Sequence, residues 1–597
     1  MLEVLLVAHL LATCAVFDPR LLLTPDPIVS GDCAIHHYNV VAAQAIWRQD
    51  HRTTGYDPFF VAGYPAGIPF DVDARGAEWF CRVWAGIGLA RAYKVFVFLT
   101  LLVAPLLVYL AARALGMSDT ESLATLVLVL AWWHFGRPHL GHLRWAGKFT
   151  FLLASGLCVL VIAVARRAMQ ASSAARFTAV AGLVAATWQI NALAVPMLLP
   201  GLATLYGASF RRLRRRDHAM IAAGASLVLA ANADWILPLM RLREARLPTQ
   251  YWLQFDGWRE VAAVFTRTTS MLLLAIVGLG MAGFVRLARR DRRAAWTFGV
   301  TAAAWFGAAF FGARVPAIAS IDPGRFLIPF GLLMTIPAGI ALGRWLERSL
   351  RFGAVLCNAL FVAGAAAIPL LAVAGNRILD RNVIEARVAP EFVRLARFIA
   401  ENTSTEARIL FETPGGRANP SPLPYGTQIQ ALLPQFCQRE FIGGPNPAPY
   451  LSYAAIDLKN GELLGRPLST WPDDDFARYL ETYNVGWIVC WSDVARAYAR
   501  SYAGATPIGS VEDFTLYQVH HPPSWFTAGN GRVKVSYNRI EVAEAIGDEI
   551  VLKYHWVPGL RSTPALAIDR VPIAGDPVGF IRVRPNGVSR FVLHLGR

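Results

Sequence analysis

Long apolar runs separated by short polar stretches occupy the first 375 residues of the chain. Two clear examples are VFVFLTLLVAPLLVYLAA (95–112) and FGAVLCNALFVAGAAAIPLLAVAG (352–375), which carry no charge. A helix that crosses the hydrocarbon of a membrane needs roughly 20 such residues. The pattern predicts about eleven transmembrane helices, near 2–17, 93–112, 120–136, 149–165, 177–192, 193–209, 218–240, 268–285, 294–312, 325–343 and 352–375. The closely spaced pair within 177–209 also fits a re-entrant hairpin.

Arginine-rich stretches fall in alternate loops between these helices. The positive-inside rule places such loops in the cytoplasm. The N-terminus is therefore expected in the cytoplasm, with residues 18–92 and 376–597 outside, in a multi-pass protein of the plasma (inner) membrane. The stretches are RRAMQASSAAR (166–176), RRLRRR (211–216), RLARRDRR (286–293) and RWLERSLR (344–351).

Composition agrees with a membrane location. The 597 residues are 55% hydrophobic and 16% charged, with a mean hydropathy of +0.40, whereas soluble domains carry about 25% charged residues. The expected partner is therefore the lipid bilayer. The net charge of +16 requires no nucleic acid, because most of the surplus lies in the arginine-rich loops.

Outside the membrane the pattern changes twice. The first outer loop (18–92) begins with a helix over 32–48 and continues as a Pro-, Gly- and aromatic-rich stretch, which suits the membrane interface. After residue 375 the hydropathy falls, and helix–strand units alternate before short alternating strands appear from about residue 531. We expect a transmembrane domain over 1–375 and an extracytoplasmic domain over 376–597. The latter divides into an α/β part (376–525) and a β-sandwich part (526–597).

Four cysteines lie on the predicted outer side, where thiols can be oxidised. Cys33 and Cys81 share the first outer loop and form one candidate disulfide. Cys437 and Cys490 form a second. The alternative is that all four are unpaired buried thiols.

Basic residues near the outer ends of helices are the first candidate site residues. Arginine binds phosphate through a planar bidentate fork and keeps its charge. These side chains would suit the phosphate of a lipid, although each could also snorkel to head groups or pair with a nearby acid. Arg325 is favoured, because DPGRFLIPF places it at a helix start. The candidates are Arg144, Lys148, Arg241, Arg259, Arg314 and Arg325.

Asp32 is the candidate catalytic carboxylate. If a helix begins near it, Asp32 and His36 are four residues apart and share one face. A carboxylate in a water-poor cavity can deprotonate or orient an acceptor hydroxyl. The alternative is that Asp32 caps the helix, a position at which aspartate is preferred. Asp57, Asp71 and Asp73 lie in the same loop as potential partners or substrate ligands.

Metal and nucleotide chemistry receive little support. His134, His139 and His142 cluster near one predicted outer loop, but their spacing matches no ligand pattern for zinc. Walker A, G-x-S-x-G and two-Cys metal motifs are all missing from the sequence. We therefore expect no cofactor, and a divalent metal lacks support from ligand spacing.

Several short motifs resemble the GT-C superfamily of membrane glycosyltransferases. Gly31, Asp32 and His36 follow a short first helix, and a G-x-P-x-G turn follows at Gly63 to Gly67. ANADWILPLM, GRFLIPF, RYLETYNVGWIVCW and KYHWVPGL are similar to large bacterial and archaeal GT-C-like proteins, including the 6-pyruvoyl-tetrahydropterin-synthase-related and YfhO-like membrane groups.

The resemblance implies an inverting transferase that uses a polyprenyl-phosphate-linked sugar. It implies that the acid of the first outer loop, here Asp32, is the base. The acceptor would be a cell-envelope glycan, lipid or protein. A metal-dependent oligosaccharyltransferase mechanism is disfavoured, because no acid lies between Arg137 and Lys148. The alternative function is a non-catalytic GT-C-like scaffold or a protein that handles lipids or polymers.

Overall fold

A computed structural model describes most of the chain. It covers residues 1–70, 73–136, 147–171, 173–245, 255, 257–267, 270–348, 363–364, 367, 384–413, 428–443, 451–455 and 458–596. The predicted last membrane helix (352–375) therefore lies outside the described residues apart from three positions. The predicted domain boundary at residue 375 lies outside them too.

Helices dominate the first 348 residues. Asp119–Phe135 begins with a capping box, in which Ser118 and Glu121 satisfy each other's backbone N–H groups. Ser173 and Asp291 cap two further helix starts with their side chains. The helices are α1 Leu2–Val16, α2 Cys33–Asp50, α3 Arg75–Val83, α4 Leu89–Ala114, α5 Asp119–Phe135, α6 Phe149–Gln170, α7 Ala174–Ile190, α8 Ala194–Ser209, α9 Arg215–Ala231, α10 Ala233–Arg241, α11 Trp258–Thr266, α12 Met271–Arg290, α13 Arg292–Phe311, α14 Pro316–Ala319 and α15 Pro323–Arg348.

The chain is a multi-pass membrane protein. Among the described residues, five helices are long and apolar enough to cross a membrane, namely α4, α6, α12, α13 with its extension to Arg314, and α15. The α9–α10 pair forms a sixth span if its two parts are counted together. Helices α1, α5, α7 and α8 have 15 to 17 residues, so the predicted number of about eleven spans stays a prediction.

The predicted helix over 218–240 is instead two helices that meet at an angle of 63°. Asn232 lies at the break and is fully buried. Its amide donates to the Val228 carbonyl oxygen at 2.9 Å, and its side-chain oxygen accepts from Trp235 Nε1 at 2.8 Å. The predicted helix is therefore present as a bent pair, because this single amide stabilises a bend inside an otherwise apolar run.

Glycine allows two pairs of membrane helices to pack closely. A Cβ on Gly283 of α12 would lie 1.7 Å from the Pro337 carbonyl oxygen of α15. A Cβ on Gly156 of α6 would lie 2.6 Å from the Ala104 carbonyl oxygen of α4. Small residues at such contacts let backbones approach, which is how helices associate in lipid.

The C-terminal region begins with an α/β part. Helix α16 (Pro390–Asn402) precedes strand β3 (Arg408–Thr413), and helix α18 (Asp473–Thr482) precedes β8 (Val485–Cys490), as the sequence predicted. Strand β3 pairs in parallel with β8 and with β4 (Phe441–Gly443). The remaining elements are α17 Leu433–Cys437, β5 Leu458–Lys459, β6 Glu462–Leu463, β7 Arg466–Pro467, α19 Asp493–Ser501, β9 Ala505–Val511 and β10 Phe514–Val519.

The alternating strands near the C-terminus form one six-stranded antiparallel sheet. Its order is β13-β16-β12-β15-β14, with β11 paired to β12. Strand β12 is 17 residues long, so its two halves pair with different neighbours. The strands are β11 Phe526–Ser536, β12 Arg539–His555, β13 Leu560–Thr563, β14 Ala567–Val571, β15 Phe580–Arg584 and β16 Arg590–Leu595.

The first outer loop is built into this C-terminal region. Its strands β1 (Thr54–Asp57) and β2 (Tyr64–Gly67) form an antiparallel pair. Between them, the Val61 N–H donates to the Phe441 carbonyl oxygen at 3.0 Å, and the Phe441 N–H donates to the Phe59 carbonyl oxygen at 2.8 Å. The aromatic stretch therefore packs against the C-terminal sheets, where the sequence had favoured the membrane interface.

The predicted disulfides do not form in the structure. Cys33 and Cys81 are free thiols, and both are fully buried in the core of the membrane domain. Cys437 and Cys490 are also free, and the Cys437 thiol donates to the Leu433 carbonyl oxygen. The alternative of four buried thiols is therefore the correct one, and free cysteine is among the most buried residue types in proteins.

Asn538 should be a major link between the outer loop and the last sheet. Its side-chain oxygen accepts from the N–H groups of Tyr56 and Leu595 at 3.0 and 2.9 Å, and its amide donates to Asp50 at 2.6 Å. We expect Asn538→Gly to lower the free energy of unfolding by about 2–4 kcal/mol, since two buried donors lose their acceptor. Thermal unfolding and the rate of proteolysis in the outer loop measure this.

Asn586→Gly is the matched control. Asn538 and Asn586 both have positive φ, at 56° and 48°, so glycine relieves backbone strain equally at either position. Asn586 is exposed, and its variant should unfold like the wild type. Equal stability of the two variants would contradict the linking role of Asn538.

Candidate active site

Asp32 does not act as a helix cap. It occupies the N-cap position of α2, yet its side chain makes no capping hydrogen bond. One carboxylate oxygen instead lies 3.5 Å from Lys148 Nζ, and the Asp32 side chain is 20% exposed. The carboxylate is therefore held by charge at one end of the membrane helices, and part of its surface is exposed.

Lys148 and Arg325 converge on a second carboxylate, Asp73. Lys148 Nζ lies 2.8 Å from one oxygen of Asp73, and an Arg325 guanidinium nitrogen lies 2.8 Å from the other. Arg325 also donates through Nε to Asp322 at 2.7 Å. The five side chains form a continuous chain of charge from α2 to the start of α15, which we call the charge chain: Asp32, Lys148, Asp73, Arg325 and Asp322.

The pKa of Asp73 shows how strongly the cations act. Burial alone would raise the pKa of this carboxyl, but the charges of Arg325 and Lys148 outweigh burial and hold it well below its ordinary value. Burial likewise opposes the charge on Lys148, yet Asp73 and Asp32 raise its pKa above the ordinary value. Both groups are therefore charged at neutral pH.

Two neutral side chains hold the backbone of this cluster. The Thr150 hydroxyl donates to the backbone carbonyl of Asp73. The Asn191 amide donates to Thr150 Oγ1 at 3.2 Å, and Asn191 Oδ1 accepts from the Leu193 N–H at 3.0 Å. Asn191 is fully buried where α7 ends and α8 begins, so the site extends across α6, α7 and α8.

Local backbone geometry places the cations. Asp322 has φ of 57°, unusual for a residue other than glycine, and it precedes the proline that begins α15. Such strained positions persist only where the surroundings fix them. Gly147, with φ of 69°, precedes Lys148, and a Cβ there would lie 3.0 Å from both Cys33 Sγ and the ring of His36. Glycine thus lets the Lys148 backbone approach α2.

The structure brings four of the predicted site residues together. Asp32, Lys148 and Arg325 belong to the charge chain, and the ring of buried His36 lies beside Gly147, the residue before Lys148. Arg241 and Arg259 are exposed and form no ion pair within the described ranges. Arg314 is exposed beside Gly257 and the Phe311 ring. Arg144 and Asp71 lie outside the described residues.

Asp57 lies in a different environment. It is fully buried, and it accepts hydrogen bonds from the hydroxyls of Tyr38 and Tyr64 at 2.6 and 2.8 Å and from the Phe59 N–H at 2.9 Å. Burial raises the pKa of Asp57 to about 6 despite these bonds. Its oxygens are occupied by the chain itself, and Tyr38 lies on α2, the helix that follows Asp32.

The chemistry available at the site is that of carboxylates and cations. Three carboxylates and two cations alternate in the charge chain, and Lys148 occupies the space between Asp32 and Asp73. In the part of the chain that is described, no group of three or more His, Cys, Asp or Glu side chains is arranged to hold a metal ion. The arrangement suits proton transfer by Asp32 and binding of an anionic oxygen by Lys148 and Arg325.

Sequence reasoning missed Thr150 and Asn191. Both are uncharged polar residues beside the ends of apolar helices, where they resemble ordinary caps. Asn191 could have been noticed from its position between two long apolar segments, because only a tight connection fits between them.

Comparisons with known proteins show that this chain is similar in fold to several solved structures. No family model matches the chain, and no curated protein does. The solved structure of ArnT from Cupriavidus metallidurans in the apo state is similar, with a TM-score of 0.50 and 13% identity, over 86% of this chain and 97% of that one. ArnT bound to undecaprenyl phosphate gives 0.48 and 14%, over 86% and 97%. AglB from Archaeoglobus fulgidus, in complex with an inhibitory peptide and a dolichol-phosphate, gives 0.41 and 16%, over 85% and 72%.

Removing the charge of Asp73 should destabilise the protein in a pH-dependent way. Its pKa lies below the ordinary value of 3.8, so the ionised form stabilises the fold above that pH, and this stabilisation is lost as the pH falls. We expect Asp73→Asn to lower the free energy of unfolding at pH 7 by about 3–5 kcal/mol, because two buried cations lose a partner. The difference from wild type should shrink towards acid pH. Thermal unfolding across a pH series measures it.

Asp119→Asn is the control for this variant. Asp119 pairs with Arg113, but its side chain is 85% exposed, and exposed ion pairs contribute about 0–1 kcal/mol. A pH-independent loss in Asp73→Asn, or a loss no larger than in Asp119→Asn, would contradict the strength of the buried pairing.

Proposed function

Since the chain has the fold of the GT-C membrane glycosyltransferases, we propose that it transfers a sugar from a polyprenyl-phosphate donor to a cell-envelope acceptor. The reaction takes place outside the cytoplasm, at the end of the membrane helices where Asp32 lies, with the N-terminus in the cytoplasm. The single observation that carries this proposal is the environment of Asp32, which makes no capping bond and faces Lys148.

The donor phosphate is bound by Lys148 and Arg325. Both cations lie at the outer ends of helices, where a lipid phosphate is found, and Arg325 provides the planar fork that matches phosphate oxygens. In the structure their charges are paired with Asp73 and Asp322. When phosphate binds, Lys148 and Arg325 therefore exchange carboxylate oxygens for phosphate oxygens. The affinity of the site for phosphate depends on how far the Asp73 carboxylate loses its contacts with the two cations.

Asp32 acts as the base in one displacement step. The acceptor hydroxyl gives its proton to an Asp32 oxygen as its own oxygen attacks C1 of the sugar. The C1–O bond to phosphate breaks, polyprenyl phosphate leaves with the bonding electrons, and the configuration at C1 is inverted. His36, one turn further along α2, would then accept the proton from Asp32.

The C-terminal region binds or orients the acceptor. Support comes from its contact with the first outer loop, which also carries Asp32. Asp57 connects α2 with β2 by accepting from Tyr38 and Tyr64, and the segment just before β2 (residues 59–62) bonds to the C-terminal strands. An acceptor bound there would therefore lie beside the helix that carries the base. In this proposal Asp57 contributes to substrate binding only indirectly, by connecting α2 with β2.

The test is the loss of transfer in Asp32→Asn. Purified protein in nanodiscs is incubated with a panel of polyprenyl-phosphate hexoses and pentoses and with envelope fractions, and release of polyprenyl phosphate is measured. We expect Asp32→Asn to reduce the rate by about 10²–10⁴-fold, the usual contribution of a general base, with an unchanged unfolding temperature. Asp18→Asn is the control, because the carboxylate of Asp18 is exposed and accepts from the Arg20 N–H at 2.9 Å.

Two outcomes would contradict the proposal. If Asp32→Asn transfers sugar at the wild-type rate, Asp32 is not the base. If the wild type binds polyprenyl phosphate but releases none from any donor in the panel, the alternative of a non-catalytic lipid- or polymer-handling protein is favoured.

A further inference from the structure

A long apolar groove lies between four membrane helices, away from the charge chain. It has a volume of about 390 Å³ and is lined by residues of α6, α7, α8 and α9, a size typical of ligand pockets. Helix α9 packs against α7, and α8 packs against α6 and α13, so the groove is the space between α8 and α9. Its lining runs from Phe177, Tyr206 and Met220 at one end to Trp188 and Leu229 at the other.

The end of the groove at Tyr206 and Met220 is strongly basic. The connection from α8 to α9 covers residues 210–214 and joins these two lining helices, and five exposed arginines lie in it or just after it: Arg211, Arg212, Arg214, Arg215 and Arg216. Within the described part of the chain their side chains form no ion pair. The nearby Asp217 lies in the first turn of α9, where it accepts a hydrogen bond from the Arg214 N–H at 2.9 Å.

The other end of the groove, at Trp188, does not favour an anion. Asp234 is located there and accepts from the Gln189 amide at 2.8 Å. Arg75 is fully buried, donates to the backbone carbonyls of Trp188 and Gln189, and stacks over the Trp235 ring at 4.1 Å. The charge distribution thus places a bound anionic head group at the arginine end and its hydrocarbon in the groove.

We propose that this groove binds one acyl chain of an anionic phospholipid, with the phosphate against the arginines at 211–216. The donor polyprenyl phosphate is a different occupant. The contact between Asn191 and Thr150 places the charge chain near the Trp188 end, so a donor phosphate at Lys148 lies at the end opposite the arginines. This inference does not depend on the proposed function.

The test distinguishes the contribution of the groove to lipid binding from that of the arginines. Gly224 lines the groove, and a Cβ there would meet only Ala181 Cβ, at 3.2 Å, so Gly224→Leu fills the groove and leaves every charge in place. Arg211→Gln/Arg215→Gln removes two charges and leaves the groove open. Val228→Phe is a second groove-filling variant in case Gly224→Leu does not fold. Gly278→Leu and Arg292→Gln are the matched controls, since Gly278 has open space around it and Arg292 begins α13.

The measurement is the rise in unfolding temperature of detergent-solubilised protein on titration with phosphatidylglycerol, compared with phosphatidylcholine of the same chains. A ligand that binds only the folded state raises that temperature. We expect phosphatidylglycerol to stabilise the wild type and both controls. The double arginine variant should lose about fivefold in affinity for each arginine removed. Gly224→Leu should lose the stabilisation completely.

Three results would overturn the inference. Full stabilisation of Gly224→Leu would mean that the arginines attract anionic lipid only at the surface. Equal stabilisation by phosphatidylcholine would mean that the arginines determine only the orientation of the protein in the membrane. Stabilisation by undecaprenyl phosphate in place of phosphatidylglycerol, lost in Gly224→Leu, would make the groove the donor's tail site.

Discussion

The site rests on one buried ionic contact, the carboxylate of Asp73 between Lys148 and Arg325. The three residues come from the first outer loop, the start of α6 and the start of α15, which are far apart in the sequence. Each charge is too buried to remain uncompensated, so the three segments can pack only when all three side chains meet. The position of Asp32 follows from this contact, because its partner Lys148 is the same lysine that Asp73 holds.

A second layer of contacts connects the site to the C-terminal sheets. The first outer loop contributes strands β1 and β2, and its backbone bonds to Phe441, Asn538 and His555 tie it to both C-terminal sheets. Asp57 is central to this layer, since it connects α2 with β2 through two tyrosine hydroxyls. The helix after Asp32 is thus fixed by ion pairs at its start and by hydrogen bonds further along, which is the rigidity that a positioned base requires.

Much of this architecture could be predicted from the sequence. Apolar runs and turn residues gave the membrane helices and the α/β units, and the placement of arginine at helix ends drew attention to Lys148 and Arg325. The bend at Asn232 could not be predicted, because a single amide in an apolar run gives no periodic signal. Asp57 was chosen as a carboxylate in the right loop, but its partner Tyr64 meets it through the register of β1 and β2, and Tyr38 reaches it from α2. Thr150 and Asn191 were missed because neutral caps carry no charge signal.

The most direct measurement is a cryo-electron microscopy map of the wild-type protein in nanodiscs with undecaprenyl phosphate, paired with a map of Lys148→Ala. The account predicts phosphate density within hydrogen-bond distance of Lys148 and Arg325, beside the Asp32 carboxylate, that weakens in the variant. Phosphate density elsewhere on the protein, with Asp73 still bonded to both cations, would contradict it.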